Sequence, residues 1–225
     1  MDNFLPPKYC DVGNNNSFRL AVGLRLGAEI VVPHCCPCGS QVDSLGSHGL
    51  SCRRSAGRLS RHASLNDVIR RALASVGVPA TLEPPGLARD DGKRPDGITL
   101  IPWQMGRPLI WDATCVDTLA PSHLASTSRK AGEAAAAAEA LKRRKYACLL
   151  QNHIFAAFAV ETLGPWSGDA LNFFRVLKRR LRETSGDPRA GSFLGQRIGI
   201  AIQRGNVASL MGTLPQGTDL GDLSH

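Results

Sequence analysis

The sequence predicts a mixed α/β protein, with an α-β-β-β-α-β core that follows a small cysteine-rich module. Three observations lead to this prediction. Apolar residues recur at helical or strand spacing from Ser64 onward, in segments of ordinary length. Two β-type segments, DGITLIP and LIWDATCV, are separated by only a short turn-forming stretch. Cysteine, histidine and glycine are concentrated in residues 33–62, which contain few residues able to form a core.

Length and charge limit the classes of partner. The chain has 225 residues, enough for one domain with an added module. Its net charge of +8 favours a polyanionic partner, and we expect double-stranded DNA, with RNA as the alternative. No apolar run reaches the length of about 18 residues that a membrane-spanning helix needs. No helix pairs the positive charge with a large exposed apolar face, so no membrane-surface partner is expected either. The sequence gives no indication of the oligomeric state.

The composition divides the chain into four segments. Residues 1–32 are expected to be a polar tail followed by a helix over 17–30, and we interpret them as the remnant of an upstream region. Residues 33–62 form the cysteine-rich module, and residues 63–184 form the core. Residues 185–225 are expected to be a C-terminal helix with a disordered tail.

Periodicity and end signals predict the elements of the core. The first helix begins with Ser64 as its N-cap and ends at Gly77, because glycine tolerates the left-handed conformation that terminates a helix. Four segments have strand character: 78–83, 96–102, 109–116 and 154–164. Three more have helical composition or spacing: 128–150, 167–184 and 192–212. Residues 121–128 are predicted to be a loop.

Four residues of the module have the spacing of a zinc site: Cys35, Cys38, His48 and Cys52. Thiolates and an imidazole suit tetrahedral Zn²⁺, and a CCHC cluster of this kind usually holds a small fold together. Cys36 is an alternative to Cys35, and His62 is an alternative histidine ligand.

The number and spacing of the cysteines indicate a reducing compartment. The chain has seven, an odd number, and three of them fall within four positions, which does not suit a disulfide framework. The N-terminal residues are not apolar enough for a signal peptide. We therefore expect the nucleus or the cytoplasm.

Two aspartates lie in a stretch that otherwise has the composition of two short strands. Strand interiors usually exclude Asp, because burying its charge is costly. If 96–101 and 109–114 pair as an antiparallel hairpin, Asp96 and Asp112 can point to one face near a common point. Two close carboxylates repel each other unless a cation lies between them, and their oxygens suit Mg²⁺ or Mn²⁺. Such a metal can activate water for phosphodiester cleavage. Taken singly, Asp96 can be a turn residue, and Asp112 can be an edge-strand acid paired with Arg107.

An ordered set of motifs runs along the chain: the CCHC cluster, Arg94-Pro95-Asp96, Asp112-x-Thr114 and Lys142-x2-Lys145-Tyr146. Together with AVGLRLG upstream and VETLGPW downstream, this set resembles the restriction-like, PD-(D/E)XK, endonuclease domain of LINE-type (non-LTR) retrotransposon proteins. The resemblance extends over roughly residues 18–212.

The resemblance implies a fold, an activity and roles for particular residues. It implies a restriction-endonuclease-like core, Mg²⁺-dependent nicking of target DNA and an association with reverse transcription. By the same resemblance, Asp96 and Asp112 match the metal-binding acids. Lys145 matches the catalytic lysine, with Lys142 as the second candidate.

The sequence departs from the family pattern at the third signature position. The family has a lysine two residues after the second acid, where this chain has Thr114; Lys130 is a third candidate for the displaced lysine. Glu83, at the end of a strand before the site, is either an additional catalytic acid or a turn carboxylate. Glu161 is expected to pair with an arginine, with a role in the site as the alternative. The departure leaves two alternatives to an enzyme: a catalytically dead nucleic-acid-binding protein of the same fold, and a structural zinc protein that binds other proteins.

Basic residues are distributed over several places in the chain: 52–62, 142–145, 175–182, Arg197 and Arg204. Contacts from such residues to phosphate are independent of base sequence and sensitive to salt. They favour binding to duplex DNA, for which no sequence-reading element stands out.

Overall fold

The computed structural model describes residues 15–55, 57–87 and 94–215. Two predictions concern residues outside these ranges: the polar tail before Asn15 and the disordered C-terminal tail.

The chain forms two compact units. Unit 1 contains the described residues of Met1–Arg61 and Ala201–His225, and unit 2 contains those of His62–Ile200. The predicted module at 33–62 lies in unit 1 up to Arg61. Most of the predicted core lies in unit 2.

Unit 1 is made of short elements and parts of two longer helices: α1 (Asn15–Leu26), β1 (His34–Cys35), β2 (Gln41–Val42), α2 (His48–Ser51), the first residues of α3 (Gly57–Ser75) and the last turns of α7 (Ala190–Met211). β1 and β2 pair antiparallel, with His34 opposite Val42. The connection between them turns at Gly39, whose φ of +92° is one that glycine adopts without strain.

The core of unit 1 combines two cysteines with aliphatic side chains: Leu20, Val31, Cys36, Val42, Cys52, Val207 and Leu210. Arg61 is also buried, and its guanidinium donates to Asn206 Oδ1 at 2.5 Å and to the carbonyl oxygen of Leu50 at 3.4 Å. Arg61 therefore contributes to packing, and it does not belong to the basic surface that the sequence suggested for 52–62.

Unit 2 is built on a four-stranded mixed sheet in the order β3-β4-β5-β6. After the rest of α3 its elements are β3 (Ala80–Leu82), β4 (Gly97–Thr99), β5 (Leu109–Val116), α4 (Pro121–Thr127), α5 (Glu133–Lys145), a 3₁₀ turn (Ala147–Leu149), β6 (Ile154–Glu161), α6 (Gly168–Ser185) and the first part of α7. β4 pairs antiparallel with both β3 and β5, whereas β5 and β6 are parallel. The predicted mixed α/β class is confirmed, as is the antiparallel pairing of the two aspartate-bearing segments.

β5 and β6 are the longest strands of the sheet. They pair along their whole length, from Leu109 opposite Ile154 to Val116 opposite Glu161. Most of their residues are buried, which explains why both read as continuous apolar runs and lack an alternating pattern. A parallel pair needs a crossover connection, and α5 lies within it. β5 therefore carries Asp112 into the buried part of the sheet.

Two element predictions are wrong. α3 begins at Gly57, so Ser64 lies inside the helix and is not its N-cap. The helix extends this far because glycine allows close approach to α7: a Cβ on Gly57 would lie 2.3 Å from the backbone nitrogen of Ser209. The predicted loop at 121–128 contains α4, whose first residue is a proline, a residue that suits that position because its missing N–H has no helical partner there. The helix end at Gly77 is confirmed, with φ +72°.

Among the described helices, none is both long enough and apolar enough to cross a bilayer.

Candidate functional site

Unit 1 contains a group of four metal-ligating side chains: Cys36, Cys38, His48 and Cys52. Their ligand atoms all lie within 4.8 Å of one another. The Sγ atoms of Cys36 and Cys52 are 3.7 Å apart, and Cys38 Sγ is 3.3 Å from His48 Nε2. Two sulfurs bound to one tetrahedral zinc are separated by roughly 3.8 Å, because each Zn–S bond is about 2.3 Å long. The donor set and its spacing fit a zinc ion, and the group can hold one.

Cys35 does not belong to this group. The prediction that it ligates zinc is replaced by the alternative, Cys36. Cys35 is exposed, and its Sγ contacts the carbonyl oxygen of Cys36 at 3.7 Å, whereas the Cys36 side chain is buried. Neighbouring residues at a strand point to opposite sides, so only one of the two cysteines can face the core. Spacing alone could not distinguish them.

The thiols of the group differ in acidity. Burial raises the pKa of Cys36 to about 11, whereas hydrogen bonds from Ser40 lower the pKa of Cys38 to about 6. A metal ion binds the thiolate form, so a cation would be needed to hold the Cys36 side chain deprotonated at neutral pH.

In unit 2, Asp96 lies immediately before β4, and its carboxylate contacts β5. The two strands pair at Gly97 opposite Trp111 and Ile98 opposite Ile110. One residue further on, Asp96 Oδ2 accepts a hydrogen bond of 2.7 Å from the backbone N–H of Ala113, the residue after Asp112. The Asp96 side chain thus accepts a hydrogen bond from the main chain of β5, next to the second acid.

His62 also contacts Asp96. Its Nε2 lies 2.9 Å from Asp96 Oδ2, so this histidine, the alternative zinc ligand of the sequence analysis, pairs with an acid instead. Asn66, one turn later on α3, lies beside the same pair, and its Oδ1 accepts from the indole nitrogen of Trp111 at 2.9 Å. The Trp111 ring packs under Gly97, where any Cβ would lie 2.2 Å from a ring carbon. The glycine after Asp96 is therefore required by the tryptophan.

Asp112 is buried and faces two lysines from the end of α5. Lys142 Nζ is 2.5 Å from Oδ1, and Lys145 Nζ is 3.7 Å from Oδ2. These are the two lysines that the resemblance implied. The structure brings both to the second acid, and Lys142, the second candidate, is the closer. Arg107 is the alternative partner of Asp112 in the sequence analysis, but its described hydrogen bonds with Gln104 join the two backbones across a turn.

Tyr146 links the lysines to the segment that carries Asp96. The phenol is buried, its O–H donates to the carbonyl oxygen of Arg94 at 2.8 Å, and it accepts from Lys145 at 2.6 Å. The Lys145 ammonium also lies 4.4 Å from the ring centroid. The end of α5 is therefore fixed to the residues just before the first acid.

The charges of the cluster influence one another. The hydrogen bond to Asp96 raises the pKa of His62 above its ordinary 6.5 against the effect of burial, and the Asp112 charge also raises it, whereas Lys142 lowers it. Burial would raise the pKa of Asp96, but the hydrogen bond and charge of His62, the N–H of Ala113 and a hydrogen bond from Asn66 lower it below 3.8. Asp96, Asp112 and Lys142 thus all influence the pKa of the His62 imidazole.

Three other candidates lie elsewhere. Glu83 is exposed, with φ +48°, and its carboxylate pairs with Arg94. Lys130 forms an exposed ion pair with Glu133. Glu161 pairs with no arginine among the described residues: it is buried, and its Oε1 accepts from the backbone N–H groups of Ala134 and Ala135 at the start of α5. An acid at a helix N-terminus is stabilised by the orphan donors there, so Glu161 serves the fold.

Part of the predicted basic surface forms one stripe along α6. Arg175, Arg179 and Arg182 are all exposed, and their spacing of four and three residues puts them on one face of the helix. By contrast, Arg180 lies over the Trp103 ring at 3.8 Å and donates to its carbonyl oxygen. The stripe can contact successive phosphates.

The sequence analysis missed His62 and Asn66 as members of the acidic site. Their only sequence signal is their separation of four residues, which puts two polar side chains on one face of α3. That spacing becomes informative only when the partner acid, 34 residues from His62, is known to lie beside it.

No protein-family model matches the chain, and no curated protein matches it either. The functional inference therefore rests on the geometry of the two sites and on the resemblance of the motifs.

Proposed function

We propose that this chain is a Mg²⁺- or Mn²⁺-dependent endodeoxyribonuclease that nicks DNA and derives from a retrotransposon protein. One observation carries the proposal: Asp96 and Asp112 lie in one charge cluster with two lysines from α5. Two acids and a lysine ammonium are the groups that hydrolysis of a phosphodiester requires, since they bind a divalent ion and stabilise developing negative charge.

The arrangement of elements supports the same proposal. A helix, an antiparallel three-stranded part, a crossover helix and a parallel fourth strand follow one another in unit 2. We take this as a restriction-endonuclease-like core, in agreement with the motifs. The two acids fall on β5 and on the residue before β4, where the paired strands separate.

Each residue of the cluster has a proposed role. Asp96 and Asp112 hold the divalent ion, which when bound supplies Lewis-acid activation of water and phosphate. The Lys142 ammonium, the nearer of the two, stabilises the charge that develops on the phosphate. Lys145, anchored on Tyr146, keeps a second positive charge beside Asp112 and assists in orienting the phosphate.

The remaining features would bind DNA and maintain the fold. The α6 stripe contacts the duplex backbone without regard to base sequence. Zinc bound by Cys36, Cys38, His48 and Cys52 stabilises unit 1. No disulfide joins the cysteines that the structure describes, which suits the nucleus or cytoplasm, where we place the activity.

A second candidate function is a nucleic-acid-binding protein with an inactive site. The observation that favours it is the pairing of both Asp112 oxygens with ammonium groups, because a metal ion on this carboxylate would compete with Lys142. Thr114, where the family has its lysine, favours it as well. The two candidates share the fold and the DNA partner and differ only in whether bonds are cut.

The test is nicking of supercoiled plasmid by the zinc-loaded chain with Mg²⁺ or Mn²⁺. The wild type should convert supercoiled to open-circular DNA, and Asp96→Ala should lower the rate at least about 100-fold. Asp67→Ala is the matched control, since Asp67 lies on the same helix as His62 but pairs with Arg70 and Arg71 on the surface. Equal rates for wild type and Asp96→Ala would remove the nuclease. A wild type that binds DNA and never nicks it would establish the second candidate.

A further inference from the structure

We propose that His62 is a positioning residue, which orients the Asp96 carboxylate for the divalent ion through a hydrogen bond from Nε2. This inference rests on the proposed function and assigns a role to a residue outside the acid and lysine motifs. The carboxylate itself touches the metal, and the histidine acts only through it.

The contact geometry carries the inference. Asp96 precedes β4, and its Oδ2 receives two donors, the backbone N–H of Ala113 and Nε2 of His62. One donor is supplied by β5 and the other by α3. Two donors of fixed position on one carboxylate oxygen determine how the carboxylate plane is turned, whereas a single donor leaves it free to rotate about that bond.

The Asp96 carboxylate, and not Asn66, determines which hydrogen the histidine presents. Its Oδ1 accepts from Trp111 Nε1, which is a donor only, so the Asn66 amide group must face the histidine and acid with its NH₂. That NH₂ lies 3.4 Å from His62 Nε2, and an ionised carboxylate lies 2.9 Å from the same nitrogen. One ring nitrogen cannot donate to the carboxylate and accept from the amide. The shorter contact requires Nε2–H to point at Asp96.

The exposure of the His62 side chain shows that it positions Asp96 more than it packs the core. The His62 side chain is 44% exposed, whereas that of Asp96 is 17% exposed. The ring therefore contributes little to the core, and changing it should alter the acid more than the fold. Outer residues that hold a metal-binding group typically contribute about 10- to 100-fold to metal affinity.

The experiment measures Mn²⁺ binding by electron paramagnetic resonance, with the zinc-loaded full chain and without DNA. Two variants remove the donor: His62→Phe keeps a ring of similar size, and His62→Ala removes it. His62→Gln restores a side-chain N–H. His153→Ala is the control, because it removes a histidine whose ring contacts only the carbonyl oxygen of Leu149 among the described hydrogen bonds. Thermal unfolding of every variant is measured in parallel.

The expected result is a dissociation constant for Mn²⁺ raised about 10- to 100-fold in His62→Phe and His62→Ala. His62→Gln should lie closer to wild type, and His153→Ala should equal it. Wild-type affinity in both donor-free variants overturns the positioning role and leaves the proposed function in place. Equal weakening in the phenylalanine and glutamine variants also overturns it, because the donor would then not matter. A folded wild type that binds no Mn²⁺ overturns the proposed function together with this inference.

Discussion

The ammonium group of Lys142, on α5, lies 2.5 Å from Oδ1 of Asp112, which β5 holds in the buried part of the sheet. The Asp112 side chain is only 4% exposed, so its charge requires a partner inside the protein. Removing one member of such a pair leaves the other as a buried, uncompensated charge. The contact is therefore both a part of the proposed site and a constraint on the fold.

Lys142→Met should lower the nicking rate by about 100- to 1000-fold, because it removes the charge nearest Asp112, which we propose as a metal ligand. It should also lower the free energy of unfolding by about 2 kcal/mol, since the buried Asp112 side chain loses its closest partner. Plasmid nicking and urea denaturation measure the two effects. Lys130→Met removes an exposed lysine that pairs with Glu133 and should change neither. A nicking rate unchanged in Lys142→Met would assign the catalytic ammonium to another residue.

The zinc site predicts opposite outcomes for two adjacent cysteines. Cys36→Ser should abolish binding of about one equivalent of zinc and destabilise unit 1, because Cys36 is buried in the core and its Sγ lies within 4.8 Å of the other three candidate ligand atoms. Cys35→Ser should keep the zinc and the stability, because the Cys35 thiol is exposed outside the group. Elemental analysis of the purified variants and thermal unfolding decide the question. Zinc retained by Cys36→Ser and lost by Cys35→Ser would reverse the assignment.

Stability should depend on pH through the His62–Asp96 pair. The pKa of His62 is raised above 6.5 in the folded protein. The contribution of protonated His62 to the free energy of unfolding is therefore complete below pH 6.5, and it disappears as the pH rises through the pKa of the folded state. The pKa of Asp96 is lowered below 3.8, so its contribution is complete above that value and disappears as the pH falls through the pKa of the folded state.

The free energy of unfolding of the wild type should therefore exceed that of His62→Phe most clearly between about pH 4 and 6.5. The difference should narrow toward alkaline pH and again in strong acid. Urea denaturation across this range, in buffer free of Mg²⁺ and Mn²⁺ with zinc retained, measures it. A difference that stays constant with pH would show that folding does not change the pKa values of His62 and Asp96.

DNA binding should be strongly salt-dependent and only weakly dependent on sequence. Each phosphate contact contributes about −0.9 to the slope of log K against log salt concentration. Replacing Arg175, Arg179 and Arg182 together by Gln should therefore make the slope shallower by about 2 to 3. Fluorescence anisotropy with a labelled duplex measures the slope, and replacing the exposed Arg71, which lies on α3 and pairs with Asp67, by Gln tests the loss of a positive charge off the stripe. A flat salt dependence in the wild type would favour a partner other than nucleic acid.

Segments with strong local signals could be predicted from the sequence. β5 has the predicted bounds, and β6 and α6 differ from prediction by a few residues, because apolar strands and an N-capping Ser167 are local features. α3 begins earlier than predicted, because its first turns are polar and are held by close packing on glycine against α7. That packing joins residues about 150 positions apart, as in the bond from Ser55 to Ser209, and no local pattern contains it.

The kinds of residue that form the candidate sites could be predicted from the sequence. Which particular residues form them could be predicted only in part. The acids and the two lysines come together as expected, because an antiparallel hairpin and a crossover helix bring them to one part of the sheet. The choice between Cys35 and Cys36 depends on which side chain faces the core, and the role of His62 depends on a contact with a residue 34 positions away. Both are tertiary facts that spacing does not encode.

The most direct test of the central claim is the location of Mn²⁺ by anomalous scattering in crystals of the zinc-loaded chain. The account predicts an ion within about 2.0 to 2.4 Å of one oxygen from Asp96 and one from Asp112, the range for divalent ions bound by carboxylates. Crystals soaked to saturation in which both lysines stay on Asp112, with no anomalous peak at either acid, would contradict it.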